Sequence, residues 1–172
     1  VLVRVRDEHN ALVEGNFSVN LLDLNEDPFD LASIATLSVP ENQPAGLFVG
    51  EFNASDQDAN TTLTYDFASG TGDSGNGLFS LDANGTLRTA QSLDYEANAS
   101  LAIRVRVKDE HDALVEGMFV VTVSDLNDRP ENLSAVSSLS IDENKPIGSP
   151  VGDFNAIDQD ANATLTYELT SG

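Results

Sequence analysis

The sequence contains no cysteine and no tryptophan, a single methionine, and only 8 lysines and arginines among 172 residues. Without cysteine, neither disulfides nor thiolate metal sites hold the fold, and the redox compartment is not legible. Aromatic residues make up 6% of the chain, which thinly supplies the stacking platforms that most carbohydrate sites use. A sugar held through an acidic cation site would need no such platform. Long apolar runs are missing too, and nothing approaches the roughly 18 residues of a membrane-spanning helix. The few cations stand against 29 Asp and Glu, for a formal net charge of −21. Such a surface repels phosphate backbones and disfavours nucleic acid as a partner. No motif groups a nucleophile, a base and an orienting residue, so no catalysis is expected. His9 and His111 have no second histidine or cysteine nearby, and read as solvated turn residues rather than zinc ligands.

What is present is a β-sandwich palette of Val, Leu, Thr, Ser, Asn, Asp and Gly, arranged as an internal repeat. Val3-Arg-Val-Arg-Asp-Glu-His-Asn-Ala-Leu-Val-Glu-Gly15 returns 102 positions on as Val105-Arg-Val-Lys-Asp-Glu-His-Asp-Ala-Leu-Val-Glu-Gly117. Glu41-Asn42 returns as Glu143-Asn144 at the same offset, and Phe52-Asn-Ala-Ser-Asp-Gln-Asp58 as Phe154-Asn-Ala-Ile-Asp-Gln-Asp160. A unit near 100 residues is a tandem domain rather than a solenoid turn.

Alternation and turn signals predict seven strands, near 35–40, 46–54, 62–67, 78–82, 86–89, 100–109 and 117–124. Leu101, Ile103, Val105 and Val107 should face the core, with Arg104, Arg106 and Lys108 in water. Asp82-Ala-Asn-Gly85 reads as a tight hairpin. The expected fold is an all-β, immunoglobulin-like, seven-stranded Greek-key sandwich in tandem. On this reading residues 1–30 end one unit, 31–130 form a whole unit, and 131–172 begin another. Val1 to Arg6 already follow a strand pattern, so the chain is expected to be a segment of something longer. Neither terminal piece is expected to close a sandwich alone.

The acids are patterned, not scattered. They gather where units meet: Asp125-Leu-Asn-Asp128 before Pro130, Asp23-Leu-Asn-Glu26 before Pro28, Glu41, Asp56 with Asp58, Asp94 with Glu96, and Asp109. Acids two apart on a loop present several oxygens to one hard cation, and calcium takes six to eight.

Taken together, these motifs resemble the extracellular cadherin repeat, including its bacterial relatives. The elements carrying the resemblance are Val39-Pro-Glu-Asn42, Ala54-Ser-Asp-Gln-Asp58, Leu93-Asp-Tyr-Glu96, Val105-Arg-Val-Lys-Asp109 and Val123-Ser-Asp-Leu-Asn-Asp128. The resemblance implies Ca2+ between successive units. It implies Glu41, Asp94, Glu96, Asp125, Asp128 and the Leu126 carbonyl around two ions, with Asn127, Asp158 and Asp160 around a third. At the upstream junction it implies Asn25, Asp56, Asp58 and Asp109 around one ion, with Asp23 and Glu26, helped by Asp58, left of a paired site. Glu26 departs from the aspartate found in Asp128, and the linker is one residue shorter before its proline than in animal cadherins.

The implied role is a calcium-rigidified extender or adhesion segment of a large secreted or cell-surface protein. Its partners would be neighbouring repeats, other adhesin chains or surface polysaccharides. The lack of tryptophan removes the strand exchange by which classical animal cadherins adhere. Alternatives are a calcium-dependent polysaccharide-binding module or an accessory domain of a secreted hydrolase. Seven Asn-x-Ser/Thr triplets, at Asn16, Asn53, Asn60, Asn84, Asn98, Asn132 and Asn162, are what a chain rich in Asn, Ser and Thr generates without glycosylation. Substituting Glu41 or Asp128 is expected to loosen a junction and leave the sandwich folded.

Overall fold

The computed structural model describes residues 1–170. Among them, the regular structure is strand apart from one 3-10 turn at Asn76–Leu78. The central sandwich is built from β3 (Phe29–Ser33), β4 (Ser38–Pro40), β5 (Phe48–Ser55), β6 (Thr64–Phe67), β7 (Phe79–Leu81), β8 (Thr86–Thr89), β9 (Ser100–Lys108) and β10 (Leu114–Ser124). One sheet has the order β3-β5-β8-β7 and the other β4-β10-β9-β6. Before the sandwich, β1 (Leu2–Arg6) and β2 (Leu12–Asn16) form an antiparallel hairpin. After it, β11 (Glu131–Ala135) pairs antiparallel with β12 (Phe154–Ile157).

Period-two alternation builds the core. On β9, Leu101, Ile103, Val105 and Val107 are all buried while the intervening residues are not. Leu101, Ile103 and Val105 meet Leu37, Val39, Phe52, Phe79, Leu87, Val121 and Val123 in one cluster. Phe52 and Phe119 pack with ring centroids 4.7 Å apart, tilted by 58°. Each fully buried aliphatic side chain here contributes roughly 1.5–3 kcal/mol. The outward residues of β9 are neutralised across the sheet, Arg104 by Glu116 at 2.8 Å and Arg106 by Asp66 at 2.6 Å.

All seven expected strands appear within about three residues of their predicted bounds, and 86–89 coincides with β8. The segment expected at 35–40 is β4, and β3 precedes it as a strand not expected from sequence. The chain makes β3 in one sheet, then crosses to make β4 in the other, where it runs parallel to β10. A register shift between Phe29 and Ala32, with Asp30 at φ 56°, bends β3 and masks its alternation.

The repeat is visible in backbone geometry as well as in sequence. The eight non-glycine residues with positive φ fall into four pairs 102 apart: Asn10 and Asp112, Asp30 and Asn132, Asn42 and Asn144, Asn60 and Asn162. All are Asn or Asp, which tolerate the left-handed region best after glycine. Gly50 is needed for space, since a Cβ there would lie 2.5 Å from the Leu37 Cδ2, and its counterpart Gly152 meets Leu139 at 2.6 Å.

Burial, unlike turn geometry, does not repeat. Val107 is 0% exposed and Val5, its equivalent on β1, is 59% exposed. Phe52 is 3% exposed and its equivalent Phe154 is 45% exposed. Local structure is written in each segment, but burial requires the facing sheet.

Candidate metal centre

The parallel pairing of β4 with β10, Val39 opposite Val123, sends both strands out of the sheet side by side. Glu41 therefore leaves β4 next to Asp125–Asp128, which follow β10, and the loop before β9 brings Asp94 and Glu96 to the same end. Carboxylate oxygens of Glu41, Asp94 and Glu96 lie within 4.8 Å of one another, as do those of Glu96, Asp125 and Asp160. Asp160 comes from the following segment, so the second cluster joins the two sides of the junction.

Glu41 is fully buried. One oxygen accepts the Tyr95 backbone N–H at 2.7 Å, the other the Leu126 N–H at 2.8 Å. It thus pins the acidic loop and the linker to the sandwich. Its burial and these two bonds make Glu41 a structural member of the unit as well as a junction acid. Asp128 is half-buried; its Oδ1 accepts the Asn42 amide at 2.8 Å, and its own N–H donates to Asp160 at 2.8 Å. The Asp160 N–H in turn donates to Asp158 at 3.0 Å. The Asn127 side chain donates to the carbonyl of Asp128.

At the opposite end of the sandwich, Asp56 and Asp58 follow β5 and Asp109 follows β9. Oxygens of Asp23, Glu26 and Asp58 lie within 4.8 Å of one another, beside a cleft of about 260 Å³ also lined by Asn25 and His111. The Glu26 N–H donates to Asp58 at 3.0 Å, and the Asp58 N–H to Asp56 at 2.9 Å, the same pair of bonds seen at the other junction. Asp109 accepts the Asn25 amide at 2.7 Å and the N–H groups of His111 and Ala113 at 2.8 and 2.9 Å. A larger cleft of about 830 Å³, lined by Leu133, Phe154 and Tyr167 among others, lies on the apolar face of the C-terminal segment and holds no acid cluster.

The charges at these ends are uncompensated. The ion pairs among the described residues engage Glu8, Glu14, Asp66, Asp112, Glu116 and Asp142, none of them a candidate ligand. Desolvation, then repulsion from Asp58 and Asp23, pushes the Glu26 carboxyl above the usual glutamate range. Desolvation, then the nearby charges of Glu41, Asp125 and Asp128, pushes Glu96 up as well. Asp109 goes the other way. Burial pushes it up, but the three donated hydrogen bonds together outweigh burial and hold it below its usual range.

A raised carboxyl destabilises the folded state while ionised. Without metal, stability should therefore increase as pH falls toward about 4.3, the unfolded glutamate value. The Asp109 contribution should persist until pH drops below about 3.9. Urea unfolding of the metal-free chain between about pH 7 and about pH 4.5 checks this, and a steady loss of stability across that range would contradict it.

The donor set fits a hard divalent cation. It consists of oxygens alone, from carboxylates and amides, with no sulfur or clustered imidazole. Asp56 Oδ2 is buried with no hydrogen-bond partner, and an orphaned buried carboxylate oxygen is costly unless something positive meets it. Asn42 is the residue whose part was not assigned from sequence. It stands in the repeated Glu-Asn pair, but its partner lies 86 positions away.

The fold is that of a β-sandwich repeat with acid clusters at both ends. The family model for the Cadherin domain matches residues 35–124, and the chain belongs to the cadherin family. It is 34% identical over 151 residues to human protocadherin gamma-C5, covering 84% of this chain and 16% of that protein. Among solved structures, human protocadherin-24 EC1-2 superposes with a TM-score of 0.62 at 29% identity, over 80% of this chain and 64% of that one. The protocadherin gamma B7 extracellular cadherin domains 1-4 share the fold, with a TM-score of 0.59 at 23% identity over 94% of this chain and 48% of that one. No helix among the described residues is long and apolar enough to cross a membrane.

Proposed function

We propose that this chain is a calcium-rigidified extender segment of a cell-surface adhesion protein, with residues 31–130 as a complete repeat between parts of two others. The observation that carries the reading is the set of three carboxylate triads at the two ends of the sandwich, none of them neutralised by a protein cation. Each junction repels itself when bare, at about 1 kcal/mol for a charge pair 4 Å apart in water and several times more where solvent is excluded. Bound Ca2+ would supply the compensating charge.

The protein's own contribution is to hold the oxygens ready. Glu41, with Asp94 and Glu96, presents one face of the downstream site. Asp125, Asp128 and the Leu126 carbonyl present the linker, and Asn127, Asp158 and Asp160 tie in the next unit. Asn25, Asp56, Asp58 and Asp109, with Asp23 and Glu26, do the same upstream. Because these groups come from two units and the linker between them, holding them together fixes the angle between units.

The test is small-angle scattering of the chain with and without calcium. Calcium should lengthen and narrow the particle, and Asp128→Ala should abolish the change at the downstream junction. An identical scattering profile in both conditions would remove the rigidification mechanism.

A further inference from the structure

We propose that Asn42 is a positioning residue for the linker carboxylate Asp128, setting the rotamer in which that group meets a cation; this rests on the calcium reading above. Consecutive residues grip the linker from one turn. Glu41 takes the Leu126 N–H at 2.8 Å, and Asn42 gives its side-chain N–H to Asp128 Oδ1, also at 2.8 Å. The Asn42 backbone N–H is bonded to the Leu93 carbonyl at 3.0 Å, next to Asp94. One residue thus connects the acidic loop to the linker. An amide is suited to this task because it donates without adding charge to an acidic cluster, and it engages one of the two Asp128 oxygens, leaving the other for a metal. A carboxylate in its place would repel Asp128, and an alkyl group would leave the Asp128 side chain free to rotate.

The repeat supplies an internal control. Asn144 occupies the same repeat position with φ 65°, against 59° at Asn42, yet the linker it would face, 102 positions beyond Asp128, lies outside the 172 residues of the chain. The left-handed backbone is therefore a property of the Glu-Asn turn and not a consequence of the bond to Asp128. Glycine adopts that conformation without strain, so Asn42→Gly deletes the amide and preserves the turn.

The experiment is a calorimetric calcium titration of the full chain carrying Asn42→Gly, Asn144→Gly or Asn42→Asp, with metal-free melting as a second readout. Asn42→Gly should weaken calcium binding at the downstream junction by about three- to ten-fold, the loss of one hydrogen bond to a charged group at a solvent-facing site. Its metal-free melting temperature should fall only by the small contribution of that one hydrogen bond, and Asn144→Gly should bind calcium as the parent chain does. Asn42→Asp should lower the metal-free melting temperature by adding a charge 2.8 Å from Asp128. Equal binding shifts in the two glycine variants, or none in Asn42→Gly while the parent chain binds calcium, would overturn the positioning role. Failure of the parent chain to bind calcium would overturn the reading on which it rests.

Discussion

Replacing Glu41 with alanine should destabilise the sandwich by about 3 kcal/mol in the absence of any metal. The reason is the pair of backbone donors it leaves behind. The Tyr95 and Leu126 N–H groups both terminate on this carboxylate, and an unpaired buried donor costs about 1–3 kcal/mol. The vacated volume adds a cavity cost, because Glu41 is among the largest fully buried side chains of the chain. One effect opposes these. Removing a negative charge relieves its repulsion with Asp94 and Glu96, by about 1 kcal/mol per pair through water and more where the buried Glu41 excludes it, and this holds the net loss at about 3 kcal/mol. The structural loss wins. Glu41→Gln should fall between, since the amide oxygen still serves one donor while its NH2 faces the other. Asp128→Ala removes a half-buried group bonded to Asn42 and Asp160, and should cost under about 1 kcal/mol. Urea unfolding in chelator, followed by circular dichroism, orders the three variants. Equal midpoints for Glu41→Ala and Asp128→Ala would show that the buried carboxylate is not a structural pin.

The offset of 102, the alternation of β9 and the Asp-Ala-Asn-Gly turn before β8 were all legible in the sequence, because each is a local pattern. Positions that need a partner distant in the chain were not. Residues 29–33 carry no alternation to betray β3, since the bend at Asp30 interrupts it and the strand changes sheets before β4. Glu41 follows a proline at the end of a strand and reads as a junction acid, with nothing in its local sequence to show that it is buried. Only the parallel pairing of β4 with β10 puts it under the linker. Asn42 presents the same difficulty: a Glu-Asn pair announces a turn but not the aspartate it will hold. The acids themselves were legible as a set because they recur, and Asp23, Glu26 and Asp58, like Glu41, Asp94 and Glu96, stand together as the resemblance had grouped them. Asp160 stands close to Glu96 and Asp125 and is also bonded to Asp158, the residue with which the resemblance had grouped it. A side chain two residues from its neighbour on a loop can serve either side of a junction, and spacing alone does not choose.

Calcium at about 10 mM should raise the melting temperature of the chain by on the order of 6–20 °C relative to chelator. Extracellular calcium modules bind with dissociation constants of about 10⁻⁴–10⁻³ M, so this concentration is roughly ten to a hundred times that range. Mass action then gives about 1.4–2.7 kcal/mol for each site formed only in the folded chain. For a domain near 100 residues, each kcal/mol moves the midpoint by about 4–8 °C. Both ends of the sandwich carry proposed ligand groups, Glu41, Asp94 and Glu96 at one and Asp56, Asp58 and Asp109 at the other, so the central unit should gain from either junction. General screening of 29 acids against 8 bases also stabilises, and must be separated from binding. Sodium chloride at matched ionic strength supplies that control, because exposed repulsions respond to the Debye length alone. Magnesium should act more weakly than calcium, since it holds its water and demands an octahedron that loop carboxylates from two units do not supply. A melting shift in calcium no greater than in sodium chloride would mean that the triads are surface charge. A shift that Asp56→Asn and Asp94→Asn each reduce in part would assign it to both ends.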